Sequence, residues 1–321
     1  MKIRTFGQTG MRVSALGFGT AEIGPVDTDF RTVDALLGVA HDCGINVIDT
    51  AAMYLDSEEK LGRALQGRRN QFFIFTKCGR HFPPKQSFVG FWLRARRKLR
   101  KAIGHPEPYE SLDWHPSALE WDIDQSLRRL RTDRIDLIQL HSCSEETLHR
   151  PEIIEVLQRA RQAGKVLHIG YSGDGGAASR AIETGAFEAL QISINVADQE
   201  AIEVALPLAR QSGLGVIAKR PLANGIWRSK QAPSLSKDQK YWERLRNLQY
   251  DFLNGECDFS MALRFALSVD GVHTAIVGTT NPEHLRVDAA CAEAGPLMEG
   301  DYNEIRARWK TTAGSDWVGQ M

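Results

Sequence analysis

The stretch Asn46-Val47-Ile48-Asp49-Thr50-Ala51-Ala52-Met53-Tyr54 decides the fold. It begins as a short apolar run, ends on an acid, and leads into a segment of helical periodicity, 58–65. The same unit recurs along the chain. Strand candidates lie at 16–18, 46–49, 72–77, 135–140, 166–171, 190–194, 215–218 and 274–277. Most are near-continuous apolar runs, as expected of strands covered by helices on the outside. Helix candidates separate them at 29–43, 58–65, 117–130, 151–163, 177–184, 200–211, 259–268 and 282–292. Eight strand–helix units predict an α/β fold, a closed (β/α)8 TIM barrel, in one domain over residues 1–321. The alternative is an open doubly wound sheet. It would need a GxGxxG turn after the first strand, and none is there.

Four pieces fall outside the alternation. Segments 3–6 and 12–15, joined through Gly7-Gln8-Thr9-Gly10, read as a β-hairpin that would plug the barrel's N-terminal mouth. Long insertions run over 79–115, after the third strand, and 220–258, after the seventh. A tail follows Ala294, with a helix expected near 302–310. Both insertions lie on the face where barrel enzymes keep their active sites.

Composition excludes several function classes. Forty basic and forty acidic side chains give a formal net charge of zero, so the chain has no global attraction for nucleic acid or an anionic membrane. No apolar stretch approaches the ~20 residues of a membrane span. The first residues lack the apolar core of a signal peptide. The five cysteines are scattered and form no CxxC pair, which predicts reduced thiols in a cytoplasmic protein without a metal site. Cys78 and Cys143 sit beside candidate catalytic positions, so a redox role is kept open for them. The basic run Arg94-Ala95-Arg96-Arg97-Lys98-Leu99-Arg100-Lys101 reads either as a polyanion-binding patch or as a solvated helix docked through Phe91, Trp92, Leu93, Leu99 and Ile103. The zero net charge and the lack of a nucleic-acid motif favour the second reading. Guarding the entry for anionic ligands is a third.

Titratable side chains close successive strands: Asp49 the second, Lys77 the third and His141 the fourth, with Ser172 closing the fifth. Singly, such an Asp reads as a helix cap, such a Lys as a solvated edge charge, and such a His as a structural hydrogen bonder. In a barrel, however, these ends converge on one mouth.

Segment 46–54 resembles the signature of the aldo-keto reductase superfamily. So do Phe75-Thr76-Lys77, Asp136-Leu137-Ile138-Gln139-Leu140-His141, Leu16-Gly17-Phe18-Gly19-Thr20, Ile169-Gly170-Tyr171-Ser172 with Gln191, Pro221-Leu222, and 276–285. The resemblance is collinear over nearly the whole chain. It implies an oxidoreductase that reduces aldehyde or ketone carbonyls of small molecules with NADP(H), NAD(H) being possible. Tyr54 would protonate the carbonyl oxygen, Lys77 would lie beside its phenol, Asp49 would hold Lys77, and His141 would hydrogen-bond the same oxygen. Ser172 and Gln191 would hold the nicotinamide carboxamide, and Gly19, Thr20 and Asp49 would line that end. Pro221, Leu222 and Asn224 would pass the pyrophosphate. Gly278, Thr279 and Thr280, before a helix starting near Pro282, would take the adenosine 2′-phosphate with His284 and Asp288 nearby.

The chain departs from the family pattern in four places. Gly173 stands where an Asn is usual, leaving one carboxamide contact absent or supplied by Asp174. Lys219-Arg220 stand where an aromatic ring commonly stacks on the nicotinamide, so Arg220 would stack in its place, or a cation there would bind an acidic substrate or the pyrophosphate, which puts both residues at the cofactor. Gly278 and His284 replace Lys and Arg, and Asp288 replaces an Asn near the adenine. The basic insertion is long for the family. An intact His141 argues for carbonyl rather than double-bond reduction. The alternative function is a cofactor-binding regulatory subunit with little turnover. A metal-dependent barrel hydrolase lacks the expected HxH. The substrate is unspecified, with Phe82, Trp92, Trp114, Trp227 and Trp317 available as walls, and monomer and homo-oligomer both stay open.

Overall fold

Eight parallel strands close into a barrel in a computed structural model that describes residues 1–24, 28–81, 111–234, 236–253 and 259–320. The run 94–101, Phe82, Trp92 and Cys257 lie outside those residues. In chain order the strands outside and inside the barrel are β1 (Ile3–Thr5), β2 (Arg12–Ser14), β3 (Leu16–Gly19), β4 (Val47–Asp49), β5 (Phe73–Cys78), β6 (Arg80–His81), β7 (Ser111–Leu112), β8 (Ile135–His141), β9 (Val166–Ser172), β10 (Ala189–Ser193), β11 (Gly215–Lys219) and β12 (Thr274–Gly278). The barrel runs β3-β4-β5-β8-β9-β10-β11-β12 and closes where β12 pairs with β3, Ala275 opposite Leu16. Each barrel strand lies within about a residue of its sequence position.

The helices are α1 (Phe30–Asp42), α2 (Ser57–Ala64), α3 (Pro116–Leu130), α4 (Glu145–Leu148), α5 (Pro151–Gln162), α6 (Gly175–Glu183), α7 (Glu200–Glu203), α8 (Ala205–Gln211), α9 (Ser236–Leu248), α10 (Phe259–Ser268), α11 (Pro282–Glu293) and α12 (Glu299–Thr312). Their starts follow from local chemistry. Asp29 caps α1 by accepting from the Thr32 amide at 2.8 Å, and prolines open α3, α5 and α11, where the missing N–H costs nothing. One expectation is corrected. The single helix over 200–211 breaks at Val204 into α7 and α8. Pro207 has no N–H for the Glu203 carbonyl, and its ring crowds that carbonyl.

The core has two parts. The larger fills the space between the barrel and its helices. The smaller closes the barrel floor, where Phe6, Met11 and Val13 of the β1–β2 hairpin meet Val47, Phe75, Leu137, Ala189 and Ile217. β1 and β2 pair antiparallel, so the N-terminal plug forms as expected. Gly7 makes the approach possible. Its φ is +53°, and a Cβ there would stand 2.3 Å from the Gly215 nitrogen. Arg4 ties the hairpin to the far end of the chain, donating to the Val272 carbonyl at 2.6 Å and the Leu267 carbonyl at 2.8 Å.

Candidate active site

Side chains two residues apart on a strand share a face. The strands that line the floor with Val47, Phe75, Leu137, Ala189 and Ile217 therefore present Asp49, Lys77, Gln139, Gln191 and Lys219 one layer higher. His141 and Ser193 follow at the mouth. An apolar floor thus gives way within one step to a polar interior.

Lys77 is 1% exposed and donates to Asp49 Oδ1 at 2.6 Å and to the Thr50 carbonyl at 2.8 Å. Its ammonium lies over the Tyr54 ring, 5.1 Å from the centroid. Burial opposes the charge on Lys77, but the Asp49 carboxylate and the Tyr54 phenol outweigh it and hold its pKa above the ordinary value. Lys77 is therefore a cation locked between an acid and a phenol. The ring of Tyr54 stands edge-on to that of His141, with centroids 6.0 Å apart and planes at 85°. Burial, followed by the fields of Lys77, Arg80, Lys219 and Arg220, drives the His141 pKa well below that of a free imidazole. His141 is neutral, and a neutral ring carries a single N–H. The four sequence-predicted catalytic side chains thus stand together. Gly24 helps set Tyr54, since a Cβ on Gly24 would lie 1.8 Å from the Tyr54 carbonyl oxygen.

The expected cofactor residues divide. Gln191 is buried. Its Nε2 donates to Asp49 Oδ2 at 3.1 Å, while its Oε1 has no hydrogen-bond partner. An orphaned buried acceptor beside Ser172, its register neighbour, fits the amide of a nicotinamide carboxamide. Gly19 is half-buried at the rim. Thr20 is fully buried, and its hydroxyl donates to the Asp49 carbonyl at 2.9 Å, so its side chain supports Asp49 from behind. Gly173 has a local cause. A Cβ there would stand 2.3 Å from the Tyr171 hydroxyl, and that hydroxyl is fixed by donating to the Cys143 carbonyl at 2.8 Å. Asp174 does not replace the usual Asn. It accepts from the Ser193 amide at 2.7 Å and the Ser193 hydroxyl at 3.2 Å, and it pairs with Lys219 at 2.9 Å.

Arg220 has φ of +56°, which throws its side chain toward β10. Its Nη1 donates to Ser193 Oγ at 3.2 Å and to the Gln320 carbonyl of the C-terminal tail. After it, Pro221 is buried and Leu222 half-buried. Ala223 and Asn224 are again left-handed, and the exposed Asn224 amide donates to Asp238 at 2.7 Å. Such a cluster of non-glycine residues at positive φ marks a loop shaped by function or by its surroundings. After β12, Gly278 and His284 are exposed and Thr280 is half-buried. Thr279 Oγ1 accepts from the Asn281 amide at 3.0 Å, and Asn281 caps α11 by accepting from the Glu283 amide at 2.9 Å.

Glu22 and Asp198 escaped the sequence reading, whereas Asp288 was among the expected cofactor residues. Glu22 lies against Gly278, its Cδ 3.6 Å from where a side chain would begin. Asp288 is buried, and desolvation lifts its carboxyl to about 6 despite Arg228. Asp198, under the tail, is lifted to about 7, first by burial and then by Asp174. It accepts from the Tyr241 hydroxyl at 3.0 Å and faces Arg244 at 3.8 Å. Arg244 in turn donates to the Val318 carbonyl at 3.0 Å and lies over the Trp317 ring. The two thiols kept open for redox chemistry are both buried, and burial raises both: Cys143 to about 12 and Cys78 well above a free thiol. Neither is a reactive thiolate. Among the described residues no cluster of three or more His, Cys, Asp or Glu is arranged to hold a metal, and no helix is long and apolar enough to cross a membrane.

Comparison with known proteins gives the family. The family model of the aldo/keto reductase family matches residues 15–310. YqkF of Bacillus subtilis (strain 168), an uncharacterized oxidoreductase, is 26% identical over 97% of each chain. An NADH-specific methylglyoxal reductase of Escherichia coli (strain K12) is 28% identical over 95% of this chain and 98% of its own. Among solved structures, the holo form of aldo-keto reductase AKR11C1 from Bacillus halodurans matches with a TM-score of 0.80 over 98% of this chain and 99% of that one, at 24% identity, a likeness of fold.

Proposed function

The chain belongs to the aldo/keto reductase family of oxidoreductases, and from that premise we propose that it reduces the carbonyl group of a small aldehyde or ketone to an alcohol, with Tyr54 as the proton donor. The observation that carries this reading is the Asp49–Lys77 pair lying under the Tyr54 ring, with neutral His141 across from it. When bound, a nicotinamide dinucleotide supplies the hydride. Everything else falls to side chains of this chain. Tyr54 gives its proton to the carbonyl oxygen as charge builds there. The Lys77 ammonium beside the phenol favours the anion left behind. Asp49 keeps that ammonium charged and in place. His141 donates its one N–H to the same oxygen and so aims the carbonyl; such a donor contributes roughly 3–4 kcal/mol to a transition state.

Cofactor choice follows from the turn after β12. NADP(H) is the family expectation, yet the Gly278 turn offers no Lys or Arg, and Glu22 brings a carboxyl to it. A 2′-phosphate gains little there, which supports use of NAD(H) alongside NADP(H).

The test is Tyr54→Phe, assayed on a panel of aldehydes, ketones and quinones with either cofactor. Turnover should fall by about 10²–10⁴-fold, the range for a lost general acid. Cofactor affinity, followed by fluorescence, should hardly change. Retained turnover would remove Tyr54 from its role. Only trace turnover of the unaltered protein across the panel would favour a cofactor-binding regulatory subunit.

A further inference from the structure

Gln139 is fully buried in the middle of β8, and neither its side-chain oxygen nor its nitrogen has a hydrogen-bond partner. A carboxamide left so in a barrel interior forgoes several kcal/mol unless something polar meets it. Its surroundings limit what that is. Across the sheet it stands in register with Lys77 on one side and Gly170 on the other. Lys77 is spent on Asp49 and Thr50, and Gly170 has no side chain. Two residues on, and on the same face of the strand, is His141.

His141 has a matching deficit. Its Nδ1 is buried and has no partner. Because the ring is neutral, it carries one proton. The proton must sit on Nε2 if the ring is to donate to a carbonyl oxygen at the mouth. Nδ1 is then a buried acceptor that needs a donor. Residues i and i+2 on a strand have Cα atoms about 6.6–6.8 Å apart and side chains on one face. A water between the two side chains has a polar group at either end, as a buried water requires.

We infer that Gln139, through one buried water, holds His141 in the tautomer with its proton on Nε2, and that Gln139 is therefore a positioning residue for the reduction. The Gln139 amide N–H donates to the water, and the water donates to Nδ1. Gln139 touches neither substrate nor cofactor. It acts by fixing which ring nitrogen carries the proton, as carboxylates and carbonyls do behind metal-bound histidines. The inference rests on the carbonyl-reducing role given to His141, but its principal readout needs no turnover.

The experiment is nitrogen-15 NMR of the full-length protein with labelled histidine, with and without NAD(H), on the unaltered chain and on Gln139→Leu and Ser172→Ala. In the unaltered chain His141 should be the neutral Nε2–H tautomer. Gln139→Leu keeps the volume and removes both polar atoms, and it should give a tautomer mixture. In that variant kcat should fall about ten- to a hundredfold, by analogy with lost orienting partners of functional histidines, with cofactor Kd unchanged. A His141 that carries its proton on Nδ1, or is doubly protonated at neutral pH, overturns the inference on the unaltered chain alone. So does a Gln139→Leu protein with an unshifted tautomer, or a tautomer that shifts in Ser172→Ala instead. A correct tautomer in a protein that reduces no carbonyl would leave the positioning intact and refute the proposed reaction.

Discussion

The lower and upper halves of the barrel interior are built by the same strands, two residues apart. At the floor, Phe75, Leu137 and Ile217 are completely buried in an apolar cluster. One step higher, the same strands carry Lys77 and Gln139, as deeply placed but charged or polar, and the mostly buried Lys219. The floor is satisfied by shape alone. The upper layer is satisfied only through specific partners, Asp49 for Lys77 and Asp174 for Lys219, and it leaves acceptors on Gln191 and Gln139 unmet. The difference teaches where each half can be altered. Errors in the floor should be read as stability, and errors in the layer above as chemistry.

The strongest way to break that comparison is to exchange a residue in each layer. Lys77→Met leaves the Asp49 carboxylate buried without its cation, which costs about 3–5 kcal/mol. It should also abolish measurable carbonyl reduction in whatever fraction stays folded. Phe75→Ala, one step below, should cost a comparable 3–5 kcal/mol of stability, yet leave kcat per folded molecule unchanged. Chemical denaturation and steady-state kinetics on both variants check this; a Phe75→Ala protein of full stability but low kcat would erase the distinction.

A pH titration sharpens it. The folded pKa of His141 is depressed, so below pH 6.5 the unfolded chain takes up a proton that the folded chain refuses. The stability tied to neutral His141 is therefore present above about pH 6.5 and is lost as pH falls toward the folded value. Melting temperatures between pH 7 and 5.5 should drop less for His141→Asn than for the unaltered protein. The smallest effect is at the Gly278 turn. Glu22→Gln should raise the ratio of NADP(H) to NAD(H) efficiency about two- to fivefold, the scale of one solvent-exposed charge. An unchanged ratio would mean that Glu22 does not face the cofactor.

The barrel and three of its central side chains were legible in the sequence because an apolar run that stops at Asp49, Lys77 or His141 carries strand end and chemistry in one signal, whereas the role of Tyr54 came only with the family resemblance of segment 46–54. The plug was legible for the same reason, through its alternating residues and two glycines. What the sequence could not carry were contacts made by main-chain atoms or by distant neighbours. The carbonyl of Gln320 has no signature in a residue letter, so the anchoring of Arg220 by the tail was invisible. Gly173 looked like the loss of a contact until the Tyr171 ring explained why no side chain fits there. Lys219 looked available to a ligand, but Asp174 had already claimed it. The break at Val204 was visible in Pro207, where a long periodic pattern hid a proline too far into the helix to serve as its first turn.

The hairpin under the barrel also bears on how the protein is made. Its arginine, Arg4, finds the Val272 carbonyl 268 residues later in the chain, and β3 completes the barrel only by pairing with β12. During synthesis the first strands leave the ribosome with no partner for their outer edge. The floor then stays open to solvent until nearly all of the chain has emerged. Contacts this distant in sequence form late, and open strand edges are sites of aggregation. For a nascent chain, the hazardous interval is thus the long wait before residue 274 emerges, and a chaperone that shields β3 during that interval would do more for yield than any gain in the finished barrel's stability.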